Sequence, residues 1–187
     1  MKVMAVMGSP RKNGVTSRIA QGFLDHAQKN GADIQTYFLN KMDYQGCQGC
    51  YVCKTKSESC VLKDDLTPVL DGLADADIMV LASPIYFWDV TGQFKCFFDR
   101  TWSLVKPDYM TNPQPVRIDP GKKVVWISSQ GDTEEKFKDV IDKYTGFLTM
   151  FGCETHTIRA FSMGEGPDQK IEPFLTQATK LADQIMG

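Results

Sequence analysis

Short runs of apolar residues alternate along this chain with longer stretches in which apolar residues recur every three or four positions. Residues 2–7 form such a run, with Val3 and Val6, as expected of a strand buried on both faces. The polar segment Gly8-Ser9-Pro10-Arg11-Lys12-Asn13-Gly14-Val15-Thr16-Ser17 follows. Ile19, Ala20, Phe23, Leu24 and Ala27 then fall at helical spacing until Asn30-Gly31 signals a stop. Residues 33–39 read as a second strand. A second helix is expected after residue 61, with Leu66, Val69, Leu70 and Leu73 on one face and Asp64 or Asp65 as its N-cap. Residues 77–83 are the clearest buried strand, and Pro84-Ile85-Tyr86-Phe87-Trp88 lies just past its end. Residues 92–102 are predicted helical, with Phe94, Phe97, Phe98 and Trp102 toward the core, Cys96 buried as a small apolar residue and Asp99 beside Arg100 as a candidate pair. Residues 104–121, rich in proline, form a long connection of the kind that serves as a lid, a subunit contact or a mobile segment. A strand at 122–128, a helix at 134–150, a strand at 154–160 and a helix at 170–186 complete the pattern.

Five strands alternating with five helices imply a parallel sheet with right-handed crossovers and helices on both faces. The expected fold is α/β, a flavodoxin-like three-layer sandwich with a five-stranded parallel sheet in the order 2-1-3-4-5. All 187 residues are expected in one domain with a cysteine-rich loop at 47–60. Hydrophobic residues make up 42% and charged residues 24%, so the composition is that of a globular protein and not a disordered chain. A net charge of -2 gives no support to a nucleic-acid or anionic-membrane partner. No apolar run approaches the length that spans a bilayer, and the apolar start before Gly8 is too short for a signal peptide. The expected setting is therefore cytoplasmic and reducing, where clustered cysteines are more often metal ligands or redox groups than structural disulfides.

In the order 2-1-3-4-5 the switch point lies between the first and third strands, so the 9–17 and 84–88 loops face each other across one crevice. The first loop is small and polar and opens a helix, whose free N–H groups and partial positive charge favour phosphate. Ser9, Thr16 and Ser17 can donate to phosphate oxygens, Arg11 can add a charge-assisted pair, and Asn13 with Gly14 permits a tight turn. The plainer alternative is a capped helix after a turn. Neither a Walker A loop nor Gly-x-Gly-x-x-Gly is present, so a mononucleotide phosphate fits better than a triphosphate or dinucleotide. Pro84, Ile85, Tyr86 and Phe87 could receive a flat aromatic ring, or else cover a loop or meet another subunit. The turn from Ser128 to Gly131 could reach the ring's polar edge. These features together describe an FMN site. His26 and His156 read as structural, and Cys153 as core.

Cys47, Cys50, Cys53 and Cys60 have the spacing C-x2-C-x2-C-x6-C. A short irregular loop can turn four such sulfurs inward around one cubane cluster. A zinc site, free thiols and a reversible disulfide are the alternatives, although structural zinc more often uses two separated C-x2-C pairs. Lys54 and Lys56 would offset part of a cluster's negative charge, and Glu58 would not.

The run Gly8 to Gly14 with Thr16-Ser17, the segment Ser83-Pro84-Ile85-Tyr86 and the compact cysteine set together resemble the iron-sulfur flavoproteins, a branch of the NAD(P)H-dependent FMN reductase superfamily. The resemblance spans nearly the whole chain, with a six-residue gap before Cys60 that is slightly longer than usual. It implies FMN bound through Ser9, Arg11, Asn13, Thr16 and Ser17, with Pro84, Ile85, Tyr86 and Phe87 near the ring. It also implies a [4Fe-4S] centre on the four cysteines and a homodimer or homotetramer with the flavin near a subunit interface. The implied function is a flavin oxidoreductase taking electrons from NAD(P)H or ferredoxin to a small acceptor or redox partner. A cluster-free FMN or quinone reductase and a non-catalytic electron carrier are the alternatives.

Overall fold

The computed structural model describes residues 1–187. Strands β1 (Lys2–Met7) and β3 (Ile78–Tyr86) are buried along nearly their whole length because helices cover both of their faces. Strand β2 (Asp33–Phe38) lies at one edge and is only partly covered. Strands β5 (Lys123–Ser129) and β6 (Glu154–Ala160) complete the parallel ladder. The sheet has six strands in the order β2-β1-β3-β5-β6, with the two-residue β4 (Asp89–Val90) antiparallel against β3. This corrects the expected five strands in the order 2-1-3-4-5. The added strand arises because β3 does not end at Ser83; it continues through Pro84-Ile85-Tyr86 and reverses at Phe87-Trp88.

Helices α1 (Val15–Lys29) and α7 (Glu172–Met186) cover one face, where Phe23, Leu24 and Ala178 meet Val3, Val80 and Val125. Helices α3 (Thr67–Asp75), α4 (Gly92–Arg100) and α5 (Lys138–Met150) cover the other, around Phe94, Phe97, Trp126 and Tyr144. Two further helices are single turns, α2 (Val52–Thr55) and α6 (Pro167–Lys170). Gly31, at φ 85°, ends α1 in the left-handed conformation that glycine adopts without steric cost.

Several boundaries differ from the sequence reading. Residues 134–137 precede α5, and Phe137 at its N-cap has φ 62°. The C-terminal helix is split, with α6 ahead of α7. Helix α3 starts at Thr67 with Leu66 at its N-cap, and Asp64 caps the turn leading into it, accepting the Leu66 N–H at 3.1 Å while also pairing with Arg100. Helix α4 ends at Arg100 and passes into a 3-10 turn, Thr101–Leu104. Asp99 and Arg100 do not pair: Asp99 meets Lys95, and Arg100 meets Asp64. Cys96 and Trp102 are half-buried and not core. The 104–121 connection is pinned at its base by an antiparallel bridge between Val105 and Val116, with Val116 and Ile118 buried.

Candidate functional site

Two of the cavities on the chain collect residues marked out by the sequence. The first, about 360 Å³, opens at the C-terminal ends of β1, β3 and β5, where ligands bind in sheets of this topology. Arg11, Asn13 and Gly14 form one wall, Pro84, Ile85 and Tyr86 the other, and Gly131 closes the end. The two predicted loops therefore do face each other across one crevice.

Helix α1 enters this crevice with no side chain capping it, so its first-turn N–H groups remain free at the wall that carries Arg11 and Asn13. Gly14 leaves room there. A Cβ on it would come within 3.2 Å of the Arg11 carbonyl and 3.3 Å of the Ser9 hydroxyl. Ser9, Thr16 and Ser17 are buried and brace the loop from below. Ser9 and Ser17 both donate to the Arg11 carbonyl, at 3.1 and 2.9 Å, and Thr16 pairs with Ser129 at 2.6 Å. Ser128 is fully buried with its hydroxyl unpartnered, and it is the next residue, Ser129, that lines the crevice. Side chains alternate along a strand, and β5 continues to Ser129, so these two neighbours face opposite sides.

Phe87 stands outside the crevice, 93% exposed at the tip of the β3–β4 hairpin. Both tip residues are left-handed, Phe87 at φ 44° and Trp88 at φ 68°, where Asn-Gly would be usual. Trp88 packs edge-on against Phe87 and Phe137. Asp89 anchors the hairpin to α5, accepting from the Tyr144 hydroxyl at 2.9 Å and pairing with Lys143 at 2.6 Å. Burial pushes the Asp89 carboxyl up, but the Lys143, Val90 and Tyr144 hydrogen bonds outweigh it and hold the group below the usual aspartate value.

The crevice also holds residues that the sequence reading passed over: Arg18, Met163, Gly164 and Asp168. Met163 and Gly164 come from the turn after β6, which lies against the turn after β5 through Ser162 N–H to Asp132 O and Met163 N–H to Gln130 O. A glycine-bearing turn past a strand's C-terminal end was the available signal. Neither His26, which bonds Asp183, nor His156, which stands beside Glu154, lines the crevice.

The second cavity, about 440 Å³, is walled on one side by Cys47, Cys50, Cys53 and Cys60. Opposite them stand Phe98, Trp102, Tyr144, Phe147 and Met150 from α4, the 3-10 turn and α5. All four thiols are free; Cys47 and Cys50 are exposed, Cys53 and Cys60 half-buried. No three of the chain's His, Cys, Asp and Glu side chains stand together as a metal-holding group. The thiols share a wall without being gathered to a point. Cys53 is carried by the single turn α2, not by plain loop as expected. Burial pushes its thiol up, Lys54 opposes this, and the nearby Cys60, Cys50 and Cys47 add to it. Lys54 donates to the carbonyls of Trp102 and Val105 and lies 4.3 Å from the Trp102 ring centroid. Cys153 is core, and burial pushes its thiol up to about 11.

Against known proteins, the NADPH-dependent FMN reductase family matches residues 1–131. An iron-sulfur flavoprotein of Methanocaldococcus jannaschii is 31% identical over 132 residues, 71% of this chain and 63% of that protein. One from Archaeoglobus fulgidus is 34% identical over 100 residues, 54% of this chain and 45% of that protein. These matches span about half the length of the curated relatives. An NAD(P)H:quinone oxidoreductase from Methanothermobacter marburgensis superposes with a TM-score of 0.74 at 17% identity, covering 100% of this chain and 98% of that one. At that identity the likeness shows the shared fold. No helix is long and apolar enough to cross a membrane.

Proposed function

Because the chain belongs to the NADPH-dependent FMN reductase family, we propose that it is an FMN-dependent oxidoreductase that moves electrons from NAD(P)H or ferredoxin to a small acceptor or redox partner. The observation that carries this reading is the uncapped start of α1, opening on a crevice with Arg11 on one wall and Pro84-Ile85-Tyr86 on the other. Free helix N–H groups beside a guanidinium stabilise an anionic phosphate. Arg11, Asn13 and Gly14 would hold that phosphate. Ser9 and Ser17 hold the Arg11 carbonyl and so the shape of the loop, while Thr16 ties α1 to β5 through Ser129. Pro84, Ile85 and Tyr86 would orient the ring and exclude water from one of its sides, with Phe87 at the rim. The Ser128–Gly131 turn would meet its polar edge through Ser129 and Gly131. When bound, FMN accepts two electrons as hydride and releases them singly.

For Cys47, Cys50, Cys53 and Cys60 the reading is a [4Fe-4S] centre, which would carry one electron at a time. Four free thiols on one cavity wall are a suitable donor set, and the names of the relatives favour it. A second reading, a cluster-free FMN or quinone reductase, is favoured by the ungathered sulfurs. A cytoplasmic setting and a homodimer or homotetramer belong to the leading reading.

The test uses protein purified without oxygen, assayed for flavin, iron and acid-labile sulfide and then for oxidation of NADH and NADPH. Equimolar FMN with iron and sulfide in equal amounts is expected. Folded protein that binds no FMN on titration overturns the flavin reading, and flavin without iron or sulfide leaves the cluster-free reductase. Rapid reduction by ferredoxin with no nicotinamide turnover would point to an electron carrier.

A further inference from the structure

Residues 46–61, which carry the four thiols, make no backbone hydrogen bond to any residue outside that segment. A loop left without backbone pairing has no ladder to hold it, so side chains must set its shape. They do so at its base. Arg100, at the last position of α4, has a fully buried side chain. Its Nη1 donates to the Gln45 carbonyl at 2.9 Å, just before the loop, and its Nη2 to the Leu62 carbonyl at 3.3 Å, just after it. The same guanidinium grips both oxygens of Asp64, at 2.8 and 3.3 Å, and Asp64 accepts the Gln45 N–H at 3.2 Å. The two ends of the segment are thereby drawn to one planar fork, a geometry that a lysine ammonium does not reproduce. Arg100 lines the thiol cavity together with Cys60 and keeps a buried Nε–H with no partner. A sulfur bearing negative charge on that wall would be an acceptor for this hydrogen.

We propose that Arg100 is a positioning residue that fastens both ends of the cysteine loop to α4, with Lys54 tethering its middle, and that it supplies the buried positive charge facing the thiols. The fastening stands on the contacts alone. The charge role rests on the reading that the cysteines hold an iron-sulfur centre, whose potential depends on nearby charge and on hydrogen bonds to sulfur.

The test compares the full chain with Arg100→Met, Arg100→Lys and Lys54→Met, with FMN affinity as the check on folding. Hydrogen exchange in as-purified protein is expected to quicken at least tenfold at hydrogen-bonded amides of residues 43–64, those of Asp43, Gln45, Lys54, Lys56 and Ser57, in Arg100→Met and in Arg100→Lys, with β1 and α1 unchanged. In Lys54→Met the gain is confined to residues 50–57. Where iron is incorporated, the midpoint potential falls in Arg100→Met by about a tenfold shift of the reduction equilibrium, about 59 mV for one electron. It stays near wild type in Arg100→Lys, which keeps the charge. A role limited to stability would move both variants' potentials alike. Unchanged exchange at 43–64 in folded Arg100→Met overturns the fastening, and equal potentials in the Met and Lys variants overturn the charge role. If wild type incorporates no iron, the cluster reading and the charge role fall, and exchange alone decides the fastening. If Arg100→Met does not fold, unchanged exchange at 50–57 in Lys54→Met overturns the side-chain tethering.

Discussion

Replacing Phe87 by asparagine should stabilise the flavin-free protein while weakening its hold on FMN. The β3–β4 hairpin pairs Ile85 with Val90 and Tyr86 with Asp89, leaving Phe87 and Trp88 as a two-residue turn with both φ angles positive. An L-residue with a bulky side chain pays about 1–2 kcal/mol in that conformation, and asparagine tolerates it far better. Phe87 is 93% exposed, so its ring offers little burial in return. Its edge-on contact with Trp88, at 5.1 Å between centroids, contributes at most about 0.5–1.5 kcal/mol, and the low end applies on an open surface. Trp88 keeps its contact with Phe137. The net gain is therefore about 0.5–1 kcal/mol, or roughly 1–4 °C in Tm for a chain of this size. Thermal melts of flavin-free protein measure the first half, and FMN titration the second. A Tm lowered by 2 °C or more would refute the strain argument. FMN binding as tight as in wild type would refute the view that the strain is retained for the ligand.

Other outcomes follow from the same geometry. Gly8→Ala would place a Cβ 2.8 Å from the Phe94 Cβ and 3.1 Å from the Ala82 carbonyl, neither of which moves freely; a loss of about 1–3 kcal/mol is expected in urea unfolding. Arg11→Ala lies on the surface, so stability should change by less than about 0.5 kcal/mol, while the FMN dissociation constant rises about tenfold or more for a lost charge-assisted bond. Asp89 has a folded-state pKa below its unfolded one, so its contribution is present in full above about pH 4 and lost as pH falls through the depressed value. Melts between pH 6 and pH 2.5 should show Asp89→Asn falling less steeply than wild type in acid.

The layered fold was legible because the central strands are unbroken apolar runs and the flanking helices keep their spacing, as in residues 3–7 and 19–27. Strand β4 was not, since two residues leave no periodicity and Phe-Trp contradicts the usual composition of a tight turn. The crevice walls at Arg11, Asn13 and Pro84–Tyr86 followed from the rule that places ligands at strand ends. That rule, applied equally to β6, would have reached Met163 and Gly164. Arg100 gave no signal. Beside Asp99 it looks like one half of a solvated pair, and its partners lie 36 and 55 residues away in the sequence.

Helix α4 is capped by Thr91, whose side chain accepts the Phe94 N–H at 3.3 Å and donates to the Gly8 carbonyl at 2.7 Å, beside the Ser9–Ser17 loop. It ends at Arg100, at the mouth of the cysteine loop. A single strut of nine residues, roughly 13 Å at the usual rise, thus runs from one cavity's edge to the other's. The spacing of the two cavities is a property of that strut and not of the loops at its ends. Insertions in the cysteine loop can alter what it holds while leaving the distance to the crevice untouched, whereas one residue added to α4 would rotate Arg100 by about 100° and detach the two sites from each other.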